Sequence, residues 1–304
     1  GEITNERLLQ ATGRTVYSMI TQGTGAIINI ILDPIMIFGY FGMPALGVKG
    51  AAIATVIGQC VAFALALIFN IKVNKEINIK VSKIFKPKLK EIAKIYEIGV
   101  PSIIMSSITS FLTVGMNLIL KKFSEDAITV YGVYFKLNSF IFMPVFGLNN
   151  GMVPILSYNY GARKPDRIKK TIKLGMSCAV AYMLVGLAVF ELIPNKLLMI
   201  FSASENVMSI GVVALRIIGL SFLFAGIGIV SSTVFQAIGN PLHSLLISVL
   251  RQLVIILPVA YLLSLTGSVD NVWWSYPIAE VVSFVLCVLF LRRTFRKLHK
   301  SLGE

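Results

Sequence analysis

The sequence predicts an all-α integral membrane protein, a polytopic helical bundle with eight spans in this chain. Three observations carry that prediction. Apolar residues make up 56% of the chain and charged residues only 14%, with a mean hydropathy of +0.81. A soluble domain carries about a quarter charged residues. Apolar stretches of roughly twenty residues follow one another, each long enough to cross the hydrocarbon core as a helix. Finally, the net charge of +14 gathers in short loops that alternate with loops holding few charges, the positive-inside pattern. That distribution argues against nucleic acid as a partner and makes the lipid bilayer the solvent. A soluble enzyme with a large core does not fit.

The elements follow in order. Residues 1–14 read as the tail of a helix closing in a turn, with Gly13 as the left-handed residue and Arg14 suited to that helix end. The first complete span covers about 15–40 and ends at Gly39 and Gly42. Its apolar run Ala26–Gly39 carries Asn29 and Asp33 in its middle. A spacing of four places both on one helix face, and Pro34 sits where it can break the backbone ladder beside them. A carboxylate at membrane depth is costly and marks a functional site; a polar helix–helix contact, or a place nearer the membrane interface, is the alternative. The second span, about 49–71, is rich in small residues (Ala51-Ala-Ile-Ala-Thr-Val-Ile-Gly58) that permit close packing. Residues 72–94 are the most basic segment, with Lys72, Lys75, Lys80, Lys83, Lys86, Lys88, Lys90 and Lys94. They read first as a cytoplasmic loop fixing topology, with an anionic-lipid-binding hinge as the alternative. Val73–Lys83 partly alternates, so a short interfacial strand or helix can form there. Further spans are expected at about 98–120, 127–157, 171–193, 208–236, 243–265 and 271–291. Arg163–Lys170 and Arg292–Lys297 are basic, whereas 41–48, 194–206 and 266–270 carry few charges. Placing the basic loops inside puts both chain ends in the cytoplasm.

Cys60, Cys178 and Cys287 lie in apolar stretches without pairing or ligand spacing, and His243 and His299 stand far apart. They read as packing residues, and no metal site or bound cofactor is expected.

The chain contains an internal repeat. Leu9-Gln-Ala-Thr-Gly-Arg14 returns as Phe235-Gln-Ala-Ile-Gly-Asn240, Pro34 as Pro258, and Ile53-Ala-Thr-Val56 as Ile278-Ala-Glu-Val281. Both copies run in the same direction, as in transporters built from parallel halves. The second copy starts near Ile95, about 140 residues before Gln236, so symmetry predicts roughly 130 further residues, or four spans, ahead of Gln10. On this reading 1–71 is the C-terminal part of a first lobe (the end of helix 4, then helices 5 and 6). Residues 72–94 are an inter-lobe loop, and 95–304 form a second lobe (helices 7–12) with a basic tail.

Taken together, Gln10-Ala-Thr-Gly13, Asn29-Ile-Ile-Leu-Asp-Pro-Ile-Met-Ile-Phe-Gly39, Leu46-Gly-Val-Lys-Gly-Ala-Ala-Ile-Ala-Thr55, Tyr158-Asn-Tyr-Gly-Ala162, Phe235-Gln-Ala-Ile-Gly-Asn-Pro241 and Trp273-Trp-Ser-Tyr-Pro-Ile-Ala-Glu280 resemble the multidrug and toxic compound extrusion (MATE) family of cation-coupled efflux transporters, prokaryotic type. The resemblance implies twelve spans in two six-helix lobes and alternating access. It also implies a monomeric transporter in a bacterial or archaeal plasma membrane, in which H⁺ or Na⁺ entry drives export of lipophilic, often cationic xenobiotics or metabolites. It carries over a first-lobe cation site to Asn29, Asp33 and Thr55, and to Asn5 at the end of the preceding span. Asn29 and Asp33 would be metal ligands if the coupling ion is Na⁺. A second-lobe site of another branch would need carboxylates at positions occupied here by Thr109 and Ala225, which argues against it.

Other polar groups lie at depth. Arg251 and Glu280 fall on consecutive spans at similar depth and read as a structural ion pair ahead of a transport role. Lys136 has no evident acid partner and is a candidate for tuning a carboxylate's pKa or repelling a cation. Tyr134, Asn138, Asn149 and Asn150 share its span and are candidates to line a substrate cleft. Pro144 and Pro154 should kink or break that span. The reading is thus an antiporter and not an enzyme. A lipid-linked oligosaccharide or lipid flippase of the wider superfamily is the alternative, disfavoured because only Lys136 and Arg251 are deep cations.

Overall fold

The computed structural model describes residues 1–77 and 88–302. Among these residues the secondary structure is helical, with no strand. The chain divides into two compact units, Gly1–Lys88 and Leu89–Glu304.

The first unit holds α1 (Glu2–Ala11), α2 (Thr15–Phe38), a short 3₁₀ turn (Tyr40–Gly42) and α3 (Val48–Lys72). α1 closes as its sequence dictates. Gly13 takes φ +76°, its N–H donates to Gln10 O, and the Arg14 N–H reaches back to Leu9 O at 2.8 Å. This is the left-handed ending that a residue without Cβ adopts at no steric cost. α2 continues through Pro34 to Phe38, so the proline does not end the helix; Gly39 does, at φ +78°. α2 and α3 meet through small residues. A Cβ on Gly58 would lie 2.7 Å from the Gly25 carbonyl oxygen, and one on Gly25 would lie 2.9 Å from Ala62 Cβ. That close approach brings polar groups of the two helices within reach of each other. Residues 73–77 form turns without regular structure, and the rest of the expected Val73–Lys83 element, 78–83, lies outside the described residues.

The second unit contains α4 (Leu89–Leu120), α5 (Glu125–Gly161), α6 (Pro165–Leu192), the short α7 (Pro194–Met199), α8 (Glu205–Gly219) and α9 (Phe222–Ala237). α10 (Pro241–Val249), a π-helical segment Leu250–Ile256 and α11 (Leu257–Ser264) then form one run, followed by α12 (Val269–Trp273) and α13 (Ser275–Leu302). The spacing over 208–236 predicts one span, but the structure builds two helices inclined at 51°. The Ser221 hydroxyl donates to Ile218 O at 2.6 Å next to Gly219, the kind of back-bonding that bends a helix. Conversely, α5 stays continuous across Pro144 and Pro154, so these prolines do not break the helix. The core joins Trp273, Phe190, Phe222 and Tyr131.

Seven helices among the described residues are long and apolar enough to cross a membrane, and eight spans result if α8 and α9 count as one. Their outward faces are apolar too. Ile27, Ile30 and Ile31 on α2 and Phe111, Val114 and Leu118 on α4 are exposed, which hydrocarbon accommodates and water does not.

Candidate functional site

Two polar arrangements stand out, one in each unit. In the first unit, Asn29 and Asp33 face the same way on α2, and the Asn29 amide nitrogen donates to Asp33 Oδ1 at 3.3 Å. The same nitrogen reaches Thr55 Oγ1 on α3, also at 3.3 Å, while the Thr55 hydroxyl donates to Ala51 O. Asp33, Asn29 and Thr55, drawn from two helices, therefore form one cluster of carboxylate, amide and hydroxyl. All three are hard oxygen-bearing groups suited to a proton or a small cation. Among the described residues, no group of three or more His, Cys, Asp or Glu side chains converges.

Asn5 does not join this cluster. It is bound by Asn70 at the far end of α3, whose amide donates to Asn5 O at 2.8 Å and to Asn5 Oδ1 at 3.3 Å. Thr55 and Asn70 are fifteen residues apart on that helix, about 22 Å at 1.5 Å per residue. α1 thus passes α3 at the wrong level for Asn5 to reach Asp33. Its neighbour Glu6 was not singled out by sequence, yet it is buried and accepts from Gln22 Nε2 at 2.7 Å and Thr21 Oγ1 at 3.3 Å. Sequence gave no signal for it, because Glu6 sits among Glu2, Asn5 and Arg7 in what reads as a polar helix end.

In the second unit, α4, α5, α9, α13 and the α10–α11 run line a cavity of about 590 Å³. Tyr134, Asn138, Asn149 and Asn150 all line it, as do Thr109 and Ala225. Tyr134 donates to Asn138 Oδ1 at 3.4 Å. The Tyr276 hydroxyl donates to that of Tyr131 at 3.2 Å, and the Tyr134 and Tyr276 rings meet edge to face with centroids 5.6 Å apart. Thr109 donates to Gln252 Oε1 at 3.3 Å. Among the described residues Glu280 is the one acid and Arg251 the one base lining this cavity, and Arg251 Nη1 donates to Glu280 Oε1 at 2.7 Å. Arg251 and Gln252 sit in the π-helical segment, a local widening frequent at functional positions; no sequence signal marked it.

Lys136 is not part of the cavity lining. It is exposed, with its ammonium 5.7 Å from the Phe201 ring centroid. Two residues along a helix turn a side chain about 200°, so Lys136 points away from the face that carries Tyr134 and Asn138. Of the apolar residues beside them, Phe142 lines the cavity, Met152 is buried, and Phe140 and Met143 are exposed.

The internal repeat is present down to single hydrogen bonds. Gln10 Nε2 donates to Ser18 Oγ at 3.0 Å, and Gln236 Nε2 donates to Ser244 Oγ at 3.1 Å, each residue displaced by 226 (10 to 236, 18 to 244). Arg14 N–H to Leu9 O is matched by Asn240 N–H to Phe235 O, both 2.8 Å, and Gly13 at φ +76° by Gly239 at φ +81°.

The MatE family model matches residues 101–262, more than half of the chain. The chain belongs to the MatE family. Among its relatives, the multidrug export protein MepA of Staphylococcus aureus (strain bovine RF122 / ET3-1) is 31% identical over 287 residues, covering 94% of this chain and 62% of the relative. MepA of Staphylococcus haemolyticus is 30% identical over 286 residues with the same coverage. This MatE chain therefore spans 62% of the length of the curated relatives it matches. Its fold is that of a MATE crystallised in complex with MaL6, with a TM-score of 0.87 at 22% identity over 98% of this chain and 67% of that one.

Proposed function

We propose that this MatE chain works as part of a cation-coupled antiporter that exports lipophilic, often cationic compounds across a plasma membrane by alternating access. The observation that carries the reading is Asp33, a carboxylate five residues before the end of a helix long and apolar enough to span a membrane, tied through Asn29 to Thr55 on the neighbouring helix. Such a group is retained at depth for a purpose. Binding H⁺ or Na⁺ neutralises Asp33, changes which packing of α2 and α3 is favoured, and shifts the population between outward- and inward-open states. Asn29 would orient the carboxylate, and Thr55 would supply a neutral oxygen to the ion. The second unit would offer its cavity to the exported compound, with Tyr134, Asn138, Asn149 and Asn150 on its wall. The multidrug export relatives support this assignment.

The two units take the places of lobe pieces: residues 1–71 complete a first lobe, 95–304 form the second, and the basic stretch 72–94 links them on the cytoplasmic side. Lys136, pointing away from the cavity, is left for a surface role. The test is accumulation of a fluorescent cationic dye in inside-out vesicles bearing the whole gene product, where export moves the dye into the lumen, under an imposed H⁺ or Na⁺ gradient. Wild type should export under one gradient, and Asp33→Asn should lose at least nine-tenths of that activity (about 1.4 kcal/mol per tenfold) while remaining inserted. Wild-type export by Asp33→Asn would remove Asp33 from the mechanism. No dye export under either gradient would favour a flippase.

A further inference from the structure

The Arg251–Glu280 pair satisfies only half of each partner. Arg251 reaches Glu280 Oε1, but Glu280 Oε2 and Arg251 Nε are both buried without a hydrogen-bond partner among the described residues. Glu280 itself is 6% exposed. Asn149 Oδ1, on the wall of the same cavity, is a second buried acceptor lacking a donor, in a residue also 6% exposed. Two acceptors without donors on one cavity wall carry a cost of desolvation that a ligand with N–H groups would remove. Space beside the carboxylate is left by Gly228, where an added Cβ would still stand 4.0 Å from Glu280 Oε2. The last torsion of a glutamate is soft, so either oxygen can be turned toward the cavity.

The repeat sharpens the point. Glu280 occupies in the second copy the place that Thr55 occupies in the first (Ile278-Ala-Glu-Val281 against Ile53-Ala-Thr-Val56). In both copies this residue is contacted from the preceding span, Thr55 by Asn29 at 3.3 Å and Glu280 by Arg251 at 2.7 Å. The preceding span reaches this position in both copies, though from different points of the repeat, and the chemistry differs: a neutral hydroxyl is tied through Asn29 to Asp33 in the first unit, and a carboxylate on the wall of a 590 Å³ cavity is paired with Arg251 in the second. Tyr131, Tyr134 and Tyr276 stand on that cavity's wall, and aromatic faces attract organic cations.

From this we infer that Glu280 is a specificity-determining residue. Its free carboxylate oxygen receives an N–H of a protonated amine bound in the second unit's cavity, so the site favours ammonium ligands that carry an N–H over quaternary ones. This rests on the reading of the cavity as the substrate site. The pair with Arg251 remains in place, holding the carboxylate oriented while its second oxygen does the recognition. A charge-assisted hydrogen bond gained or lost at a buried site corresponds to a preference of about ten- to a hundredfold.

The test measures binding of a matched pair of fluorescent ligands, a lipophilic tertiary amine and its N-methyl quaternary derivative, to the whole purified gene product at a pH where the amine is protonated. Wild type should bind the tertiary amine at least about tenfold more tightly. Glu280→Gln should bring the two within about twofold. Because that change leaves Arg251 without its counter-charge, the Arg251→Gln/Glu280→Gln double variant is measured as well and should show the same loss of preference. Equal affinities in wild type, as for a structural pair whose free oxygen is held by water, would overturn the inference. So would a preference that survives in a folded double variant. Neither outcome touches the substrate-site reading if both ligands bind and are exported. Failure of both ligands to bind or be exported would instead sink that reading, and the inference with it.

Discussion

At the residue scale, what matters is which polar side chains within the spans find partners and which are left short. Asp33 has Asn29, and Asn29 also has Thr55; Arg251 and Glu280 have each other at 2.7 Å. Removing one member of a buried ion pair is far more damaging than removing both, since the survivor keeps its desolvation cost. Arg251→Gln alone should therefore lower the stability of the purified protein by about 3 kcal/mol or more, read as a drop in melting temperature in detergent, while Arg251→Gln/Glu280→Gln should recover most of it. Sequence identified these ionisable groups because a charge inside an apolar run is conspicuous. The 3.6-residue period also placed Asn29 beside Asp33. Asn5 was misplaced because local spacing says nothing about the level at which α1 crosses α3. Lys136 was drawn toward the cleft by its charge alone, although two residues from Tyr134 it had to face the other way.

At the element scale, the structure turns on backbone approaches that only small residues allow. Gly25 and Gly58 bring α2 against α3, and this closeness lets the short Asn29 side chain reach Thr55. Gly58→Leu forces a side chain against the Gly25 carbonyl. It should lower thermal stability by about 1–3 kcal/mol and lose ion-coupled export together with it. Gly23→Ala makes an informative companion. It lies on α2, two residues from Gly25, but an added Cβ meets nothing within 4 Å, so both properties should stay near wild type in the same melting and efflux measurements. The α2–α3 packing was legible in the run of small residues. The bend between α8 and α9 and the π-helical segment Leu250–Ile256 were not. Both replace ordinary helical hydrogen bonds by alternatives close in energy, and such choices are made by the surrounding packing and not by the local residues.

At the scale of the whole molecule, apolar length and loop charge were enough to read the helical membrane class and eight spans. The repeat could be read from short matches because the turn chemistry of Gln10–Arg14 is reused at Gln236–Asn240 with the same hydrogen bonds. The cavity of the second unit was less accessible to sequence. Its wall combines five elements spread from Ser102 to Ser283, and no local pattern announces such a convergence. The two repeat copies carry different chemistry at matching positions, Thr55 tied through Asn29 to Asp33 and Glu280 paired with Arg251. That difference fits a division of labour in which one unit binds the coupling ion and the other the exported compound.

Coupling between those tasks is the central claim, and because coupling free energies are reciprocal it can be driven from the substrate side. With the whole gene product in proteoliposomes, an outwardly directed gradient of a lipophilic cation, and no ion gradient, should drive H⁺ or Na⁺ uphill in the opposite direction. Asp33→Asn should abolish that ion movement. Substrate flux unaccompanied by movement of either ion in the wild type, or ion movement unchanged in Asp33→Asn, would contradict the account.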